Sequence, residues 1–393
     1  MKANHLFDNH KSTHSSNYRL SKWFSAFFLL PFFSCSLLRS QTESPEYRFE
    51  TLAGSIEGHR DGEAKSSLFR TPEGITADSN GNIFVTEYWS TIVRKISADG
   101  NIFVLAGKDS IPGNMNGTGS EARFNRPHGL VAVGDSILYV CDMKSHTIRK
   151  VTYNGAVTTF AGIMGQAGAV DGFRTAATFN QPEAIAVNSK GELFVEDSYN
   201  FTIRKIAVNG EVTTFAGIAG KAGYADGEGY LAQFNKPLGI AIDGKDNIYV
   251  ADSDYDGTGG NSLIRKISPE GRVSTLAGIP LKLGHADGKA KDSQFDRPVG
   301  ITAISDGTLF IADTEADLIR KIDKHGRVST IGGIYLDEKF ADGKGADARF
   351  ADPQAIAVDR DGNLYIADTF NNRIRKGTIV SKKKAERGKS SSF

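Results

Sequence analysis

Cysteine is nearly absent from this 393-residue chain: Cys35 and Cys141 are the only two. Two thiols so far apart build neither a disulfide framework nor a cysteine-rich zinc site. An excess of one charge is missing as well. After residue 35 there are 43 basic and 45 acidic residues, which argues against nucleic acid as the partner. The Trp23–Phe33 apolar run has eleven residues, well short of the ~20 a membrane-spanning helix needs. No stretch of residues 47–380 keeps a helical period. Gly-x-Ser-x-Gly and His-Glu-x-x-His are absent. Gly117-x-Gly119-x-x-Ala122 does not lie between a strand and a long helix, so no dinucleotide site is read there.

Proline is scarce too, with 11 in all, and six of these form a frame: Pro72, Pro127, Pro182, Pro237, Pro298 and Pro353, spaced 55, 55, 55, 61 and 55 residues apart. A period of this size signals a propeller, a solenoid or an array. Each copy holds four short apolar or β-branched runs. Turn signals such as Asn80-Gly81 and Lys190-Gly191 separate the first two runs, and Asp99-Gly100 and Asn209-Gly210 the last two, reading as tight hairpins. The sixth copy lacks its closing strand, and the missing piece stands at the front as Thr51-Leu52-Ala53-Gly54. The sequence therefore predicts an all-β, six-bladed β-propeller of four-stranded antiparallel blades over residues 47–380, with the N-terminal strand completing blade six.

Residues 1–35 are different material: Lys2, Lys11, Arg19 and Lys22, then the apolar run, then Ser34-Cys35. This pattern predicts a signal peptide with a lipobox-like end, a tether over 36–46 and an exported protein. Three outcomes stay open: lipidation of Cys35 and a bilayer anchor, ordinary secretion to the periplasm or cell surface, or an unprocessed membrane-proximal segment. The tail, 381–393, is basic and reads as a solvated, disordered end. Cys141 occupies a position held elsewhere by Ala251, Ala312, Thr86 or Glu196 and reads as a small buried thiol.

The blocks Phe69–Ile75 and Phe234–Ile240, Gly81–Glu87 and Asn200–Lys205 carry a resemblance. On them the chain is identified as a member of the NHL-repeat β-propeller family, in the long-repeat form of bacterial exported proteins and teneurin-like propellers. The resemblance implies the fold. The family holds binders, sensors and a few enzymes, so it implies no single activity.

The repeated chemistry reads as scaffold. An acid ends the second strand of every blade (Glu87, Asp142, Asp197, Asp252, Asp313, Asp368), and an arginine lies on the third (Arg94, Arg149, Arg204, Arg265, Arg320, Arg375). These are expected to pair, within a blade or between neighbours. The loop acids Asp61, Asp171, Asp226, Asp287 and Asp342, with Asn116 in blade two, each precede a Phe by eight residues and read as turn caps beside a plug.

The unrepeated chemistry holds the site candidates. Just after the framing prolines stand Glu73, His128, Glu183, Leu238, Val299 and Gln354, which the ring places at the mouth of its channel. Glu73, His128, Glu183 and Gln354 form either a ligand-binding rim or a merely hydrated one. Glu73, His128 and Glu183 are the catalytic candidates if the chain is an enzyme, a channel-centred metal-dependent lyase or lactonase-like hydrolase. His59 and His285 with His128 offer a three-histidine zinc set like that of amidating-lyase relatives. Thr86–Trp89 beside Pro127–Gly129 is similar to streptogramin-lyase-type propellers. Blade four carries a six-residue insertion, and Asp252, Asp254 and Asp256 in it have Ca²⁺-loop spacing, to be weighed against a metal-free acidic turn. No cofactor is otherwise indicated. The sequence favours a binder over an enzyme: a monomeric ring presenting loops to a protein, peptide or glycan at the cell envelope.

Overall fold

The computed structural model describes residues 45–253 and 260–380. The predicted leader with Cys35, the tether through residue 44, Asp254, Asp256 and the tail 381–393 lie outside the described residues. Six sheets form a six-bladed propeller. In blade one the inner strand is Pro72–Ala77, followed outward by Ile83–Glu87, Ile92–Ile96 and Asn101–Gly107.

Closure follows the sequence. Tyr47–Gly54 lies antiparallel to Arg373–Ile379, with Tyr47 opposite Ile379 and Gly54 opposite Arg373. The first strand of the chain is thus the fourth strand of the last blade, and the ring has no seam left unpaired there. Phe49 from this strand is fully buried and meets Phe350 edge-on at 5.2 Å, so aromatic packing backs the backbone ladder.

Blades hold five strands, not the expected four. The fifth is a two-residue edge strand, such as Gly62–Glu63, which pairs with Ile102 and Asn101 on the fourth strand. Its cause is the loop acid. Asp61 does not cap its own turn. Its carboxylate accepts Arg94 Nη2 at 2.6 Å and the Val104 backbone N–H at 3.0 Å, which lays the loop along the outer strand. The next residue turns through φ +117° at Gly62 and +144° at Gly227, in the region that favours glycine.

The arginine on each third strand anchors this arrangement, and all six are fully buried. Each pairs within its own blade, as Arg204 shows: Nη1 reaches Asp197 at 2.9 Å and the Thr178 carbonyl, while Nη2 reaches Asp171 at 2.6 Å and the Val170 carbonyl. The Phe eight residues after the loop acid lies under the guanidinium, 5.2 Å away for Phe179. One charge is thus met by two carboxylates, two carbonyls and a ring face, as a buried guanidinium requires. The blade-four insertion leaves the clamp intact: Arg265 still holds Asp252 at 3.0 Å and Asp226 at 2.7 Å.

The turns between inner and second strands are the expected tight hairpins: the Asp78 N–H donates to the Asn82 carbonyl at 2.9 Å, Gly81 takes φ +81°, and the Asp78 carboxylate accepts the N–H groups of Asn80 and Asn82 at 2.9 and 2.8 Å.

Candidate functional site

Inner strands approach very closely around the axis. A Cβ on Gly239 would lie 1.8 Å from the Val299 carbonyl oxygen, and one on Gly74 2.2 Å from that of His128. Small residues two places after the prolines let adjacent blades touch backbone to backbone. The residue between proline and glycine then faces the axis.

Glu73, His128, Leu238, Val299 and Gln354 line one cavity of about 70 Å3 at the top of the channel. Beneath it Ile75, Leu130, Ile185, Ile240, Ile301 and Ile356 form an aliphatic ring, all nearly buried, shared with a lower cavity of about 190 Å3. The lower half is lined by Thr, Ala, Val and Leu/Ile side chains only. Of these two cavities, only the upper one is lined by ionisable side chains.

The centre of that mouth is one ion pair. His128 Nε2 lies 2.9 Å from Glu73 Oε2, with the side chains 12% and 16% exposed. Nδ1 lies 3.0 Å from the Glu183 carbonyl oxygen, which can only accept. A ring with an acceptor at each nitrogen donates from both, so the geometry is that of an imidazolium. Burial opposes this charge, but the hydrogen bond and charge of Glu73, with Glu183 nearby, outweigh it and raise the pKa to about 9. Gln354 Nε2 donates to Asp352 at 2.8 Å.

Glu183 enters the arrangement differently from its sequence neighbours. It touches His128 through its backbone carbonyl, and its carboxyl is buried, 6% exposed, with its pKa raised by burial. Sequence reasoning passed over a second acid, Glu196. It is fully buried, both its carboxyl oxygens lack a hydrogen-bond partner, and burial lifts its pKa well above the usual carboxylate range, with Glu183 adding to the effect. The signal was present in the repeat, since the equivalent residues are Thr86, Cys141, Ala251, Ala312 and Ala367. Cys141 is a fully buried free thiol whose pKa burial pushes well up, so it stays protonated and inert.

The other candidates do not converge. His59 and His285 are exposed, and His285 stacks on Tyr335 at 3.9 Å. Among the described residues no three His, Cys, Asp or Glu side chains gather as a metal site. Asp252 is committed to the scaffold: Oδ1 accepts the Asn235 and Lys236 N–H groups, and Oδ2 accepts from Arg265 and Asn261.

A larger opening lies beside the mouth, where blade six meets blade one. This cavity of about 470 Å3 is lined by Glu57, Arg70, Thr71, Trp89, Thr369, Phe370 and Asn372. None of these stood among the predicted site residues, although Trp89 belongs to the Thr86–Trp89 segment noted above.

The NHL repeat family model matches residues 179–206 and 350–376, the corresponding parts of blades three and six. The chain is an NHL-repeat β-propeller. Similar proteins include SUPPRESSOR OF QUENCHING 1 of Arabidopsis thaliana, 26% identical over 82% of this chain and 32% of the relative. NHL repeat-containing protein 2 of Bos taurus is 26% identical over 73% of this chain and 44% of the relative. The NHL chain thus spans less than half the length of these relatives. Among solved structures, a Bacteroides thetaiotaomicron protein of unknown function superposes with a TM-score of 0.65 at 22% identity, covering 85% of this chain and 76% of its own. An auxiliary nutrient-binding protein of Bacteroides ovatus gives 0.63 at 14%, over 86% and 78%. Streptogramin B lyase gives 0.53 at 13%, over 85% and 98%. At such identities the likeness is one of fold.

Proposed function

We propose that this NHL propeller is a binding ring of the cell envelope that presents its upper face to a protein, peptide or glycan. Propellers of this shape include both a nutrient-binding protein and a lyase, so fold leaves the class open and the site residues must decide it. One observation carries the binding reading: the two ionisable side chains that line the mouth cavity, Glu73 and His128, are already paired with each other. His128 is held at both nitrogens, and the cavity above it, about 70 Å3, is far below the ~300 Å3 at which small-molecule pockets begin. An imidazolium with a raised pKa is also no general base at neutral pH. The test is to pass envelope extracts over the immobilised full chain and analyse retained material by mass spectrometry. The expected result is a ligand recovered chemically unchanged. Conversion of that ligand by the wild type, abolished in His128→Ala or Glu183→Ala, would overturn the reading.

A second reading, a channel-centred lyase or lactonase-like hydrolase, draws on the same ring. A buried imidazolium at a channel mouth is a proton donor, and general acids are built this way. Turnover of an ester or lactone panel that vanishes in His128→Ala favours it.

Export belongs to the proposal as well. The basic lead, the Trp23–Phe33 run and Ser34-Cys35 support a lipid-anchored or secreted ring outside the cytoplasm. Incorporation of a labelled fatty acid, lost in Cys35→Ala, is the measurement that separates the anchored form from the secreted one.

A further inference from the structure

One cleft gathers several residues that differ from their equivalents in the other blades. Two residues after the second-strand acid the six blades carry Trp89, Lys144, Tyr199, Asp254, Glu315 and Phe370. The adjoining blades six and one therefore supply two aromatics, Phe370 and Trp89, to a single cleft, and they are 64% and 48% exposed. Two residues before the framing proline blade one has Arg70, where the others have Asn125, Asn180, Asn235, Asp296 and Ala351. Arg70 Nε pairs with Glu57 at 3.1 Å, and both side chains stay well exposed.

The lining chemistry selects a ligand class. Glu57 and Arg70 cancel in charge, which favours a neutral ligand over an anion or a cation. The Arg126 guanidinium lies over the Trp89 ring, 4.5 Å from its centroid, and the part of Trp89 left exposed, with the ring of Phe370, calls for a partner with apolar faces of its own. The paired carboxylate and guanidinium offer an acceptor and fixed donors at the same point, matching adjacent hydroxyls. Asn372 adds an amide whose oxygen accepts the Thr71 N–H at 3.0 Å, while its Nδ2 reaches only the Phe370 carbonyl at 3.4 Å. The volume, about 470 Å3, lies within the ~300–1,000 Å3 range of small-molecule sites, unlike the channel mouth. A pyranose combines these properties: C–H groups on its faces, hydroxyls round its edge and no charge.

We propose that the cleft between blades six and one binds a neutral saccharide, stacked on Trp89 and Phe370 and hydrogen-bonded by Arg70, Glu57 and Asn372. This rests on the binding reading above and narrows it to one ligand class and one place, away from the channel.

The sequence has two tryptophans, Trp23 and Trp89, so emission is read in a Trp23→Phe background, where it reports on the cleft. The full chain is titrated with neutral oligosaccharides of glucose, mannose, xylose and N-acetylglucosamine, with polygalacturonate as the charged comparison. Expected are a saturable Trp emission change with at least one neutral series, and calorimetric affinity weakened tenfold or more by Phe370→Ala and by Arg70→Ala. Trp89→Ala, followed by calorimetry alone, weakens it likewise, while Val208→Ser, on the third-to-fourth turn of blade three, leaves it unchanged. Three results overturn the inference: no neutral series binds; polygalacturonate binds more tightly than every neutral series; or saccharide binding survives Trp89→Ala and is lost in His128→Ala. Binding of a peptide that needs Trp89 and Phe370 refutes the saccharide and leaves the binding reading standing. Cleavage or elimination of a bound saccharide removes the binding reading itself.

Discussion

Two buried ion-pair systems sit in this ring, and they differ in number. The arginine clamp occurs six times, at every blade, with guanidinium, two acceptor side chains and two carbonyls in the same relation. The Glu73–His128 pair occurs once, at the channel mouth, and stays at the edge of water. What recurs in every blade ties loop to sheet and can have no blade-specific function. What occurs once is free to differ from its equivalents, and in those positions the repeat carries Leu238 and Val299 without loss of the fold. Repetition here separates architecture from chemistry inside one chain.

The largest effect is expected from breaking the clamp. Arg204→Ala strands Asp197, which is fully buried, and releases the 171 loop. Removing one partner of a buried pair costs about 3–5 kcal/mol, to be read from urea unfolding. A loss under about 1 kcal/mol would mean the clamp does not anchor the blade.

The second effect belongs to the single pair. The His128 pKa is raised from 6.5 to about 9 in the folded state. The stabilisation it represents is fully present below pH ~6.5 and disappears as pH rises through about 9; its size is of the order of 3 kcal/mol. Glu73→Gln removes the main stabilising partner of the charged ring. NMR titration should find the His128 pKa lowered, and the alkaline fall in Tm should flatten. An unchanged titration would detach His128 from Glu73.

These two systems also mark how far the sequence was legible. The repeat served as an internal alignment, so blade number, ring closure at Tyr47–Gly54 and the acid–arginine spacing could be read from it. Contacts set by backbone conformation could not. Whether His128 meets the carboxylate or the carbonyl of Glu183 depends on how the bulged inner strand turns after Pro182. A two-residue strand such as Gly62–Glu63 has no period to detect. The 470 Å3 cleft draws on residues 57 and 372, at opposite ends of the repeat series, and only ring closure brings them together.

The smallest effect sharpens the comparison at Glu196, another residue that occurs once. Its pKa is raised by burial, so protonation stabilises the folded state: the advantage is complete below the unfolded value near 4.5 and is lost as pH climbs through the folded one. Glu196→Gln keeps the shape and removes the titration. Urea unfolding should find the variant close to wild type at pH 5 and more stable by about 1 kcal/mol or more at pH 8. Equal stabilities at both pH values would show that the carboxyl has found a partner.

The pairing of Tyr47 with Ile379 has a temporal consequence. The strand Tyr47–Gly54 has both its mates, Gly343–Lys344 and Arg373–Ile379, in the last repeat. Five wedges can assemble as they emerge, but the circle stays open, and this early strand must wait unpaired until the last repeat is made. A chain cut short anywhere before residue 373 is therefore an open arc with a bare edge at each end.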